Sequence, residues 1–179
     1  MQGELGDVTV MFTAEQIAAR VRQLAEAISN DYRSRTVHAV CILENGFVFM
    51  ADLIRALDVA VVCQFLKPET REVQHGAEIF YGPDVSVRGK HVLLVEGIVQ
   101  SGVTQEFLMR NLMGRGALSV KLATLLDKQA ERRVALQADY WGYAIEPSYV
   151  LGYGLGSPLL GRNLPYVAKA AQVPAAASG

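Results

Sequence analysis

Apolar residues recur along this chain in two rhythms. Ile17, Val21, Leu24 and Ile28 follow one another at helical spacing, behind a Thr13–Gln16 pair in the pattern T-x-x-Q. Such a pair caps a helix reciprocally, so a helix is predicted over residues 13–29. Residues 37–43 form an apolar run and predict a strand buried on both faces. Gly46 opens a second helix, with Phe49, Leu53, Ile54 and Leu57 on one face. Further strands are predicted over residues 59–65, 91–96 and 118–126, with a helix over 104–113 and short strands at 140–144 and 149–152. Strands alternating with helices imply an α/β fold with a parallel sheet covered on both faces. Ligands in such sheets bind at the carboxyl ends of the strands.

Two segments break the rhythm. Residues 66–90 are charged and turn-rich (KPETREVQHG, then YGPDVSVRGK), with weak periodicity. They read as a hood or flexible loop outside the sheet. The last residues, AKAAQVPAAASG from Ala168, are small and polar and read as frayed. The organisation is one domain over residues 1–169 and a flexible tail over 170–179, without internal repeats.

Composition narrows the class. The 179 residues are 51% hydrophobic, which is ample for a core and excludes disorder of the whole chain. A net charge of -1 supplies no global basic field, so nucleic acid is not an expected partner. Cys41 and Cys63 both lie in apolar runs and read as buried free thiols, which suits a reducing cytoplasm. The first residues, MQGELGDVTVMF, have no basic region and no long apolar stretch, so no secretory signal is expected. Nor does any run reach the roughly 18 apolar residues that a membrane span needs.

Candidate chemistry concentrates in residues 91–104, HVLLVEGIVQSGVT. An apolar strand runs into Glu96, then a short loop, then a helix. Backbone N–H groups at such a turn favour a phosphate. Ser101 and Thr104 add hydroxyl donors, and Gly102 allows close backbone approach. An ordinary strand-to-helix turn fits the same spacing.

This segment resembles the phosphoribosyl-pyrophosphate loop of purine phosphoribosyltransferases of the hypoxanthine type. There an apolar strand is followed by Glu-Asp, two aliphatics, Asp-Ser/Thr-Gly, one residue and Thr. GFVFMADLIRAL resembles the helix after that family's pyrophosphate loop, and SVKLATLLDK the strand ending in its purine-contacting lysine. YVLGYGL and RNLPYV resemble the base-stacking segment and the end of the fold. The likeness covers residues 37–167 in order. It implies a type I phosphoribosyltransferase fold and a homo-oligomer, dimer or tetramer. It also implies roles for particular residues. Glu96 would hold ribose hydroxyls, and Gln100, Ser101, Gly102, Val103 and Thr104 would cradle the 5′-phosphate. Lys128 would donate to a purine 6-oxo group, Tyr149 would stack on the base, and the Val150 carbonyl would read its edge. Glu44, Asn45, Gly46 and Arg162 would lie in the pyrophosphate region.

The departures fall on the acids. The second acid of the pair is Gly97, the proton-handling aspartate is Gln100, and the magnesium-binding aspartate is Gly156. The pyrophosphate loop reads Leu43-Glu44-Asn45-Gly46, and the hood lacks the family's Ser-Tyr pair. Gln100 cannot take a proton as a carboxylate does, and such help is worth about 10²–10⁴-fold. Glu44 places negative charge where pyrophosphate would sit, at a cost of about 4 kcal/mol per unit charge at ~4 Å and a dielectric of ~20. The leading expectation is therefore a purine nucleotide binder with little or no turnover and no metal. The alternatives are an active magnesium-dependent enzyme with carboxylates supplied from elsewhere, Glu72, Glu78 or Asp84 among them, and a scaffold that binds no nucleotide.

Overall fold

The computed structural model describes residues 8–73, 76–82, 85–156 and 161–170. The chain runs β1 (Val8–Phe12), α1 (Ala14–Asp31), β2 (Val37–Ile42), α2 (Phe47–Ala56), β3 (Val61–Val73), β4 (Gly76–Gly82), β5 (His91–Val99), α3 (Val103–Gly114), β6 (Ser119–Asp127), β7 (Tyr140–Ala144), β8 (Val150–Leu151) and β9 (Val167–Ala170). The main sheet has the order β4-β3-β2-β5-β6-β7. All its pairings are parallel except that of β4 with β3. The predicted capping box is present: the Gln16 N–H donates to Thr13 Oγ1 and the Thr13 N–H to Gln16 Oε1.

Alternation along the strands divides the core in two. Leu93 and Val95 face Ile17, Val21, Leu24 and Ile28 of α1 and Phe49 and Leu53 of α2. Val92 and Leu94 face Leu108 and Leu112 of α3. A strand covered on both faces must be apolar throughout, which is why these runs carried no period-2 signal.

The structure corrects several expectations. Residues 66–73 do not leave the sheet: they continue β3 and pair antiparallel with β4, from Lys67↔Gly82 to Val73↔Gly76. Pairing with β2 ends at Ile42↔Leu66, so this ribbon projects past its neighbour. Backbone bonds hold it, and no hydrophobic periodicity is required of its sequence. Glu96 and Gly97 lie inside β5, whose pairing with β6 continues to Val99↔Asp127. Cys63 is exposed, whereas Cys41 is buried; both thiols are free. The C-terminal boundary also shifts: Ala168 and Ala170 are buried in β9, which pairs with β1 and β8 in a second, antiparallel sheet. Neither β1 nor β9 was foreseen, because each is short and finds its partner at the other end of the chain. The tail over 171–179 and Asp84 lie outside the described residues. No helix among the described residues is long and apolar enough to cross a membrane.

Candidate active site

Parallel strands send their carboxyl ends to one rim of the sheet, and three loops meet there. One follows β2 (residues 43–46), one follows β5 (100–102) and one follows β6 (128–133). The last two are laced together. The Lys128 N–H donates to the Val99 carbonyl and the Arg133 N–H to the Ser101 carbonyl, both at 2.9 Å. The Arg132 guanidinium bridges the Gln100 carbonyl and the carboxylate of buried Asp127.

Gly102 precedes α3 in the left-handed region, at φ 79°. A side chain there would be strained, and its Cβ would lie 2.9 Å from Arg132 Cδ. The first N–H groups of α3 lack intrahelical partners, as at any helix start. The Val103 N–H makes a long contact of 3.4 Å with Ser101 Oγ. A cleft of about 560 Å³ opens beside this turn, lined by Gln100, Ser101, Ala130, Glu131, Arg132 and Arg133. Helix-start amides, a hydroxyl and two guanidinium groups suit an anion. Val103 is exposed and Thr104 partly buried in the first turn of α3.

The loop after β2 folds onto β5. A Cβ on Gly97 would lie 2.1 Å from the Asn45 carbonyl oxygen and 2.8 Å from Leu155 Cδ2, so only glycine fits there. Gly46 is tight for a similar reason, since a Cβ there would lie 2.8 Å from the Ile42 carbonyl oxygen. Glu44 is not the unbalanced charge expected. Its Oε1 lies 2.9 Å from Lys67 Nζ and its Oε2 2.8 Å from Arg162 Nη1. The Lys67 hydrogen bond, then the charges of Lys67 and Arg162, hold its carboxyl below the usual carboxylate range.

The resemblance implies magnesium, and two positions from which it would draw carboxylates are glycines here. Of the positions that would supply carboxylates, Gly97 has no room for one, and Gly156 holds φ 103°, where a side chain is strained. Among the described residues no three His, Cys, Asp or Glu side chains gather to hold a metal ion.

Glu96 is buried, and its Oε2 accepts a hydrogen bond from Gln105 Nε2 at 2.9 Å. Burial pushes its carboxyl up to about 8, and the Gln105 bond opposes that rise. Lys128 is buried too, with Nζ 3.3 Å from Glu131 Oε1. Tyr149 is half-buried against Leu151, Ala168 and Ala170, and its carbonyl accepts from the Ala170 N–H. Val150 packs in the main core. The structure thus brings residues 96, 100–104 and 128 around one rim, and residues 44, 45, 46 and 162 around a neighbouring one. Lys67, Gln105, Asp127 and Arg132 were missed. Gln105 carried a signal, an amide in line with Leu108 and Leu112 on the buried face of α3. Lys67 lay in the charged stretch that reads as a hood or flexible loop outside the sheet, and Arg132 lay between the predicted elements.

Two expected outcomes follow from this geometry. Gly97→Ala lowers stability by about 1–3 kcal/mol, since an overpacked site must push the Asn45 backbone away; urea denaturation checks it, and unchanged stability would refute the tight contact. The second concerns pH. Glu96 binds its proton up to about pH 8 when folded but only up to about 4.5 when unfolded. Between those values the folded state holds the extra proton, so this group makes stability fall as pH rises. Glu96→Gln removes that part of the slope, which urea denaturation of both proteins between about pH 4.5 and 9 will reveal.

Comparison with known proteins agrees with this architecture. The family model described as "Phosphoribosyl transferase domain" matches residues 9–155. A hypoxanthine-guanine phosphoribosyltransferase of Bacillus subtilis is 33% identical over 162 residues, covering 88% of this chain and 90% of that protein. The bifunctional protein TilS/HprT of Listeria innocua is 35% identical over 162 residues, and there the matched region is only 25% of the longer protein. A crystal structure of a hypoxanthine phosphoribosyltransferase from Staphylococcus aureus superposes with a TM-score of 0.86 at 30% identity, covering 94% of this chain and 92% of that one. The parallel sheet, the loop before α3 and these likenesses lead to one conclusion: the chain belongs to the phosphoribosyltransferase family, on its purine, hypoxanthine-guanine branch.

Proposed function

We propose that the chain binds a 6-oxopurine nucleoside monophosphate at the rim of β5 and β6, with little or no turnover of phosphoribosyl pyrophosphate. The observation that carries this reading is the Asn45 carbonyl lying where a side chain of residue 97 would begin. The glycine turn before α3 supports a phosphate site, and Gly97, Gln100 and Gly156 stand where the resemblance would place acids. In this reading the monophosphate meets the N–H groups at residues 102–104, the hydroxyls of Ser101 and Thr104, and the guanidinium groups lining the cleft. Glu96 faces the ribose. The base lies between Tyr149 and the Lys128 ammonium, with the Val150 carbonyl at its edge. Gln100 replaces a proton acceptor with an amide, which removes general-base help. Self-association as a dimer or tetramer and a cytoplasmic location go with this reading.

The relatives favour a second reading. Proteins about a third identical along nine-tenths of their length bear the name hypoxanthine-guanine phosphoribosyltransferase. An active enzyme would make IMP or GMP and pyrophosphate with magnesium, drawing carboxylates from residues such as Glu72 or Glu78 of the β3–β4 ribbon. Calorimetry with IMP and a pyrophosphate-release assay on one preparation separate the two. Binding without turnover supports the first reading; brisk magnesium-dependent release with hypoxanthine or guanine establishes the second. Neither binding nor release would leave a scaffold.

The base contact yields a sharper expectation. An ammonium donates to a 6-oxo group but meets only donors on a 6-amino group. The mismatch costs about 1–3 kcal/mol, or roughly ten- to a hundred-fold in affinity. IMP therefore binds tighter than AMP by that factor, and Lys128→Met abolishes the difference. Stacking on Tyr149 does not discriminate, since every purine offers a π-face. Equal affinities in the unmodified protein, or a preference that survives loss of the lysine, would remove Lys128 from this role.

A further inference from the structure

The buried stripe of α3 has one polar member. Its buried residues are Gln105, Leu108 and Leu112, so an amide stands where a third apolar side chain would complete the packing. A buried amide costs free energy unless it is hydrogen-bonded. Gln105 Nε2 donates to Glu96 Oε2 at 2.9 Å, and both side chains are buried. Among the described residues no cation pairs with Glu96, and the Gln105 bond alone opposes the upward push of burial on its carboxyl. The two residues flank the turn at 100–102: Glu96 lies in β5 and Gln105 in the first turn of α3, directly after Thr104. The amide thus fixes the carboxyl relative to the helix start. A carboxyl that keeps its proton has one O–H to donate and one oxygen free to accept. The Gln105 N–H uses Oε2 as acceptor, which places the proton on Oε1 and sets the direction of the O–H.

We propose that Gln105 is a positioning residue for Glu96, and that the pair makes the chain select ribonucleotides over nucleotides lacking a ribose hydroxyl. This rests on the nucleotide reading above and adds to it the residue that sets sugar selectivity. A hydroxyl both donates and accepts, so it matches the oriented acid. A deoxy carbon leaves the acid's O–H unmet in a buried place. In the nucleotide reading the phosphate is anchored at the start of α3. Phosphate and sugar hydroxyls stand at distances set by the nucleotide's covalent structure, so an acid held by α3 itself stays in register with both. Gln105 touches no ligand in this arrangement and acts through Glu96.

Isothermal titration of IMP, 2′-deoxy-IMP and 3′-deoxy-IMP into the unmodified protein, Gln105→Met, Gln105→Leu and Glu96→Ala tests it. The unmodified protein is expected to bind IMP at least about ten-fold tighter than one of the deoxy nucleotides. Gln105→Met removes the donor while nearly keeping the length. It is expected to lose most of that ratio by weakening IMP and leaving the disfavoured deoxy nucleotide almost unchanged. Glu96→Ala loses the ratio as well, and adding Gln105→Met to it changes the ratio no further. A merely structural role would move all three nucleotides together. An equal loss for all three, or a ratio that survives Gln105→Met, overturns the proposal. Carbon-13 NMR of the Glu96 carboxyl needs no nucleotide: losing the amide raises its titration midpoint, and an unmoved midpoint overturns the proposal too. Thermal melts report folding, and Gln105→Leu stands in if Gln105→Met does not fold. Absence of IMP binding by the unmodified protein removes the nucleotide reading and this proposal with it. IMP binding with equal affinity for the three sugars removes this proposal alone.

Discussion

Strand β5 is hydrogen-bonded on both edges, to β2 and β6, and covered on both faces by helices. Everything at the rim hangs from its end. Its register with β6 persists through Val99↔Asp127, which holds the turn at residues 100–102 against the turn at 128–133. The backbone bonds from Lys128 to Val99 and from Arg133 to Ser101 then extend the ladder beyond the sheet. The geometry of the turn before α3 is therefore a continuation of the β5–β6 pairing. A loop braced this way presents its amides in a fixed arrangement, so little ordering cost remains when an anion arrives.

The same strand limits what can stand at position 97. Position 97 lies within β5, where the backbone of the loop after β2 reaches contact distance. That contact is compatible with glycine alone. The neighbouring carboxyl groups are all partnered. Glu44 is held by Lys67 and Arg162, Asp127 by Arg132, and Glu96 by the amide of Gln105. Each of these acidic groups has a partner supplied by its own chain. Glu44 and Asp127 are charges paired with cations, as burial demands, whereas Glu96 keeps its proton to about pH 8 and takes only the amide as partner.

Much of this was legible in the sequence. Apolar runs such as those around Val40, Leu94 and Leu122 announced strands buried on both faces, and the T-x-x-Q cap announced α1. The order of motifs along residues 37–167 pointed to the fold and to the rim loops. What escaped were features whose partners are far away in sequence. The β3–β4 ribbon is held by backbone pairing, which requires no hydrophobic periodicity. Strands β1 and β9 become visible only as a pair joining the two ends of the chain. Cys63 sits in an apolar run of β3 yet is exposed.

Local sequence by itself determined the central strands β2, β5 and β6 and the helices α1 to α3, that those strands run parallel, and that a glycine turn precedes α3. Those properties follow from side-chain periodicity and backbone stereochemistry, which act over a few residues. Tertiary structure alone decided the electrostatics. Glu44 looked like a repulsive charge until Lys67 and Arg162 were brought to it, and Gly97 looked like a simple loss until the Asn45 carbonyl filled its place. Charge and contact depend on distances between residues separated by dozens of positions, and those distances exist only once the chain has folded.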